Sequence, residues 1–239
     1  MSQENPYQAM GYATPVAQAT TSERTIFIQR TYAHLCGAVL AFAGLEALVL
    51  NVFWDQLGPL VQSVTGGVYW LVFLGAFMAV GWVANGWAHS STSRSMQYTG
   101  LSLYVLAEVI IFIPLLFMAE KYFEGTIASA GIVTGIVFGG LTIGCFITKF
   151  DFSFLKTALM IGGFAALGLI VASVFIGGLS LGIWFSVAMV VLAAGYILYN
   201  TSNVIHHYNT NQHVAASLAL FASVALLFWY VVQIFMHSD

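Results

Sequence analysis

Long apolar runs dominate the chain, separated by short polar stretches. Seven stand out, at roughly residues 32–54, 67–87, 99–118, 126–148, 154–177, 182–205 and 214–236. None shows the strict two-residue alternation of a half-buried strand. A helix bridges about 30 Å of hydrocarbon with about 20 apolar residues, and each run has that length. Backbone groups in lipid must pair inside a helix or a closed barrel. The pattern therefore predicts an all-α integral membrane protein, a bundle of seven transmembrane helices. Gly177, Gly178, Leu179 and Ser180 form a very short turn between the fifth and sixth spans. Residues 1–23 are rich in Gln, Ser, Thr, Ala and Pro. Such a segment has too little apolar content to fold alone and predicts a disordered tail, leaving residues 24–239 as the membrane domain. The first run is too long for a signal peptide and follows a polar segment.

Composition strengthens this picture. The 239 residues are 60% hydrophobic and 6% charged, against about 25% charged in a soluble domain. The chain cannot cover itself in water, and the lipid bilayer is its first partner. A net charge of −3 leaves no basic face for nucleic acid. Cys36 and Cys145 both lie in apolar runs, so neither a disulfide framework nor a metal site is expected. Arg24, Arg30, Arg94, Lys149 and Lys156 share one side of the predicted membrane, and only Lys121 lies on the other. That bias predicts a cytoplasmic N-terminus and an external C-terminus. Trp54, Trp70, Trp82, Trp87 and Tyr122 lie near span ends, as interfacial anchors do.

The fourth span carries Gly131, Gly135 and Gly139, and Gly140 and Gly144 one position over. This spacing lets helices approach closely, which predicts a central or tightly paired helix. A glycine-lined pore is the alternative. Pro114 should kink the third span. No internal repeat stands out, so an inverted-repeat transporter is not supported.

Polar groups at membrane depth are costly and usually face the bundle interior. Glu108 lies near the midplane of the third span, and Glu46 lies toward the external end of the first. Their depths differ by about 6–8 Å, so they could share one cavity. They are candidates for proton or cation handling; the plainer reading is a protonated Glu hydrogen-bonded across helices. His34 reads as an interface hydrogen-bonder. His206, His207 and His213 lie in a polar stretch and read as a solvated loop rather than a metal site. Gly178 to Gly182 matches G-x-S-x-G, but between two membrane helices it lacks the strand a nucleophile elbow needs. There is no H-E-x-x-H, no phosphate loop and no lysine in the last span for a retinal Schiff base. Asn200-Thr201-Ser202 is a glycosylation sequon on the expected cytoplasmic side, where it would go unused. The expectation is a protein without enzymatic activity or cofactor.

Three stretches together resemble the Bax inhibitor-1 (transmembrane BAX inhibitor motif) family, especially its bacterial YccA-like members. Phe27-Ile28-Gln29-Arg30-Thr31-Tyr32-Ala33-His34-Leu35 enters the first span. Phe146 to Phe154, with Asp151 at its centre, joins the fourth and fifth. Tyr199-Asn200-Thr201 closes the sixth and is followed by Ala215-Ala216 and the last span. The resemblance covers about residues 24–236 and implies a seven-helix fold of the Bax inhibitor-1 type. Family members are described as pH-sensitive calcium leak pathways and as suppressors of cell death in eukaryotes. Some bacterial members modulate a membrane protease. The family's pH sensor is a pair of aspartates on the last two helices. Those positions are Asn200 and Ser223 here, which hydrogen-bond but do not titrate. Arg30 and Asp151 match helix-end positions of the family. Asp151, beside Lys149 and Lys156, is expected to cap a helix or to pair at the membrane surface.

Two functions compete. One is a calcium, cation or proton pathway near Glu108, Glu46, Asn200 and Ser223, with the two glutamates replacing the aspartates as titrating groups. The other is a non-conducting regulator that binds another membrane protein, such as a protease complex. A bacterial inner membrane is the expected location.

Overall fold

The computed structural model describes residues 14–90, 93–176 and 181–238. Among the described residues a short 3-10 helix at Val16–Gln18 is followed by eight α-helices: α1 (Thr21–Val52), α2 (Trp54–Val64), α3 (Val68–Ala88), α4 (Arg94–Tyr122), α5 (Thr126–Thr148), α6 (Leu155–Phe175), α7 (Ile183–His206) and α8 (His213–Ser238). Seven are long and apolar enough to cross a membrane. Leu40, Trp82, Ile132, Ile136 and Trp184 are all exposed on the outside of the bundle, and a contiguous apolar exterior of this kind needs lipid to cover it. The predicted all-helical membrane bundle is what the structure shows. The turn at residues 177–180, and with it most of the G-x-S-x-G match, lies outside the described residues.

The eighth helix is α2, which hydropathy alone misses because its 11 residues are too short to span. Leu57 and Val61, one turn apart, bury one face of it against Phe117 of α4, while Trp54 packs on the Phe117 ring at 4.7 Å. The first span also begins earlier than its apolar run. Thr20 closes a capping box: its hydroxyl accepts from the Glu23 N–H at 3.3 Å, and Glu23 accepts from the Thr20 N–H at 3.0 Å. This T-x-x-E pattern satisfies two orphan donors and starts the helix eleven residues upstream of Tyr32. Residues 14–23, read from sequence as tail, are therefore ordered. Val16 N–H donates to the Tyr208 carbonyl at 2.8 Å and Thr210 N–H to the Thr14 carbonyl at 3.1 Å, and the Val16 side chain is fully buried. Pairing with the α7–α8 loop supplies what the segment's own composition lacks. Residues 1–13 lie outside the described residues.

The centre of the bundle is α8, not the glycine-rich fourth span. It packs against α1, α3, α4, α5 and α7, and residues on all its sides, among them Val214, Leu220, Phe221, Leu227 and Val232, are buried. A helix apolar all round is suited to the middle of a bundle. The expectation of tight packing at Gly131, Gly135, Gly139, Gly140 and Gly144 is corrected: a Cβ on any of them would meet nothing within 4 Å. Close approach occurs instead at Gly100 of α4. A Cβ there would lie 2.5 Å from the Ala84 carbonyl oxygen and 2.6 Å from the Ala88 nitrogen of α3. Small residues on both sides let the backbones touch.

Candidate functional site

Between α1 and α5 lies a cavity of about 990 Å³, backed by α8 and topped by Trp54 and Glu120. Glu46 lines it from α1 and Thr134 from α5. Both are buried, at 3% and 4% exposure. Neither carboxylate oxygen of Glu46, nor the Thr134 hydroxyl, has a hydrogen-bond partner. Buried polar atoms nearly always have one, so this wall is polar chemistry held ready and unmet.

Glu108 is not part of it. It is equally buried, at 5% exposure, but it interacts with Tyr104 one turn earlier on α4. The Tyr104 ring packs on Phe77 of α3 and Phe221 of α8, at 6.2 Å each. At about 100° per residue, Glu108 sits roughly 80–120° around α4 from Leu116 and Glu120, which do line the cavity. The expected sharing of one cavity is thus corrected by helical phase: Glu108 is turned about a quarter to a third of a turn away from the α4 residues that line the cavity holding Glu46.

The lower end of the cavity is Tyr32. Its hydroxyl lies beside those of Thr142 on α5 and Thr201 on α7, yet none of the three oxygens is paired. The next residue of α7 is Asn200. Its amide donates to the Ser223 hydroxyl at 2.8 Å and to the Ala219 carbonyl at 3.2 Å, and Ser223 donates to the same carbonyl at 2.9 Å. The two positions that the resemblance pairs do meet across α7 and α8, as a neutral hydrogen-bonded latch.

Beyond the latch, at the bundle end that carries the N-terminal segment, Ser202 donates to Asp151 at 3.3 Å and accepts from the Phe152 N–H at 2.9 Å. Asp151 pairs with His207 at 3.0 Å, both about half exposed. The backbone N–H of Ser153, and then the His207 ring, hold the Asp151 carboxyl down at about 2. Asp151 does pair at a surface, but with a histidine rather than with Lys149 or Lys156, because the α7–α8 loop folds back against the α5–α6 turn.

The histidines also need correction. Of His206, His207 and His213, only His207 is exposed; His213 is 3% exposed. The His213 ring leans on His34 at 5.1 Å, and His34 stacks on Tyr98 at 5.4 Å while bonding the Arg30 carbonyl at 2.6 Å. His34 thus ties the ends of α1, α4 and α8 together, while Arg30 contributes only its backbone carbonyl. Among the described residues no group of three His, Cys, Asp or Glu could hold a metal ion. Thr134, Thr142 and His207 escape a reading of sequence, because a threonine in an apolar helix can bond its own backbone and only their convergence marks them.

A family described as inhibitor of apoptosis-promoting Bax1 matches residues 24–239. The chain belongs to the Bax inhibitor-1 family. It is 31% identical over 230 residues to an uncharacterized protein of Pseudomonas aeruginosa, covering 95% of this chain and 96% of that one. It is 27% identical to Bax inhibitor 1 of Schizosaccharomyces pombe, over 92% of this chain and 80% of the relative. It is 26% identical to the modulator of FtsH protease YccA of Escherichia coli, over 84% and 85% of the two chains. Another Escherichia coli relative is an inner membrane protein. No solved structure matches. Within this Bax inhibitor-1 chain, the cavity, the hydroxyl cluster and the neutral latch follow one another along the bundle, polar from Tyr32 to Asp151 and mainly apolar between Glu46 and Tyr32.

Proposed function

We propose that this multi-pass membrane protein is a gated pathway for a cation or proton, held closed in the described conformation. The observation that carries this reading is Glu46, a carboxylate without a partner at the wall of a cavity of about 990 Å³. A cation or a proton is what completes such a group. The Tyr32, Thr142 and Thr201 hydroxyls form the plug below it, and the Asn200–Ser223 latch closes the next layer. Because the latch does not titrate, a pH response of the pathway comes from outside it, and Glu46 is the ionisable group on the cavity wall. In this reading the N-terminus is cytoplasmic and the C-terminus external, which the charge bias supports, and the membrane is a bacterial inner membrane, as for the inner-membrane relative. No step in this reading uses an enzyme nucleophile or a cofactor.

Calcium and proton flux into liposomes, scanned from about pH 5 to 8, where a histidine ordinarily changes charge, tests it. Glu46→Gln should lower flux at least about tenfold, and Glu108→Gln should leave it near wild type. Unchanged flux in Glu46→Gln rejects the pathway. An Asn200→Asp/Ser223→Asp protein should gain a new pH dependence, because two close carboxylates share a proton.

The neutral latch favours a second reading. A member without titrating groups at those positions would serve as a non-conducting regulator of another membrane protein, as its relative modulates a protease. Wild-type liposomes without flux, in which the double aspartate variant leaks, would support it. Residues 1–20 would be the handle, and deleting them should then remove the co-purifying partner.

A further inference from the structure

The cavity that holds Glu46 is open sideways. Ala43 and Ala47 on α1, and Gly131 and Gly135 on α5, stand at its mouth and are exposed. A Cβ on either glycine would meet nothing within 4 Å. These positions lie inside membrane-spanning helices, so the opening faces lipid rather than water. Below Glu46 the wall is apolar down to Tyr32. Those fourteen residues of α1 make a groove about 21 Å long, the reach of a long alkyl chain. A hydrated inorganic cation gains nothing from that apolar length. A fatty acid would set a second carboxyl against Glu46. An alkylammonium answers both features. Its N–H groups donate to the Glu46 carboxylate once that side chain turns its two buried, unmet oxygens into the groove, and its chain removes the groove wall from competing lipid.

We propose that the groove between α1 and α5 binds a single-chain amphiphile bearing a protonated amine, the ammonium paired with Glu46 and the chain lying toward Tyr32. This rests on the same cavity as the pathway reading but requires no ion flux. The carboxylate supplies specificity, because an unpaired charge is costly in an apolar wall and a charge-assisted pair removes that cost. The absent side chains of Gly131 and Gly135 supply the room.

The test uses the purified full chain in neutral detergent and native mass spectrometry. The probes are a long-chain primary alkylamine and the alcohol and carboxylic acid of the same chain length. Wild type should bind the amine at least about tenfold more tightly than the alcohol. Glu46→Gln should reduce the amine to the level of the alcohol. Gly135→Leu, which fills the mouth and leaves the carboxylate in place, should weaken all three and provides a second variant if Glu46→Gln folds poorly. Equal binding of amine and alcohol by wild type overturns the proposal, as does a preference for amine that survives in Glu46→Gln. Flux measured on the same preparations separates the two readings. Amine preference without flux keeps the groove and rejects the pathway; flux without amine preference does the reverse.

Discussion

Glu46 and Glu108 are the same residue type, lie in neighbouring spans and are buried almost equally, at 3% and 5% exposure. Their surroundings differ completely. Glu108 lies on α4, the helix that touches α3 backbone to backbone two turns earlier at Gly100, and has Tyr104 beside it. Glu46 sits where α1 and α5 stand apart, and both its oxygens are unmet. Depth and burial therefore do not assign a role to an intramembrane carboxylate. What assigns it is whether a polar partner stands within reach: Glu108 has Tyr104 one turn earlier on its own helix, and Glu46 has none on α1 or across the gap to α5.

The sharpest way to break this comparison is at its backbone contact. Gly100→Leu should cost about 3 kcal/mol or more, because the atoms a side chain would strike are the Ala84 oxygen and the Ala88 nitrogen, which cannot rotate away. Thermal unfolding in detergent would show a lost or strongly lowered transition, while Gly135→Leu should unfold close to wild type. A Gly100→Leu protein of normal stability would mean that α3 and α4 are not locked.

Replacing each carboxylate by leucine should give opposite signs. Glu46→Leu removes two unsatisfied acceptors and should stabilise by about 1–3 kcal/mol. Glu108→Leu leaves the Tyr104 hydroxyl without its partner and should destabilise by a similar amount. The same unfolding assay reads both, and equal signs would erase the distinction between the two regions.

A smaller effect is expected at the latch. Asn200→Ala removes the bonds to Ser223 and Ala219 and should cost about 1 kcal/mol, with Ser223→Ala costing less because the Ala219 carbonyl keeps its bond from Asn200. The smallest effect lies at the surface. Asp151 is held at about 2, below its ordinary 3.8. A carboxyl with a lowered folded pKa contributes stability above its unfolded pKa and loses it as pH falls through the folded value. The protection factors for hydrogen exchange at residues 150–154, which remove the intrinsic pH dependence of the exchange rate, should therefore be steady down to about pH 4 and fall between about pH 4 and 2. Asp151→Asn should abolish that pH dependence.

Much of the architecture was legible without coordinates. The runs at 126–148 and 182–205 match α5 and α7 to within a residue or so, because hydrocarbon thickness sets helix length directly. The resemblance also placed Asn200 opposite Ser223, which α7 and α8 bear out. The early start of α1 was written in Thr20 and Glu23, but it carried no hydropathy signal. The short α2 was hidden because Gly58 and Pro59 read as breakers and its length cannot span. The glycine stripe misled: small residues permit close approach but do not supply a neighbour.

Apolar run length and charge scarcity determined that the chain makes seven membrane helices, since lipid leaves the backbone no other way to pair. The chain's polar residues determined which groups would be expensive. Tertiary structure alone decided which of those groups were met. A helix turns about 100° per residue, so the side a residue faces follows from sequence, but what stands opposite depends on how distant helices pack. That packing put His207 against Asp151 and open space against Glu46, whereas Tyr104 stands beside Glu108 through its place one turn earlier on the same helix.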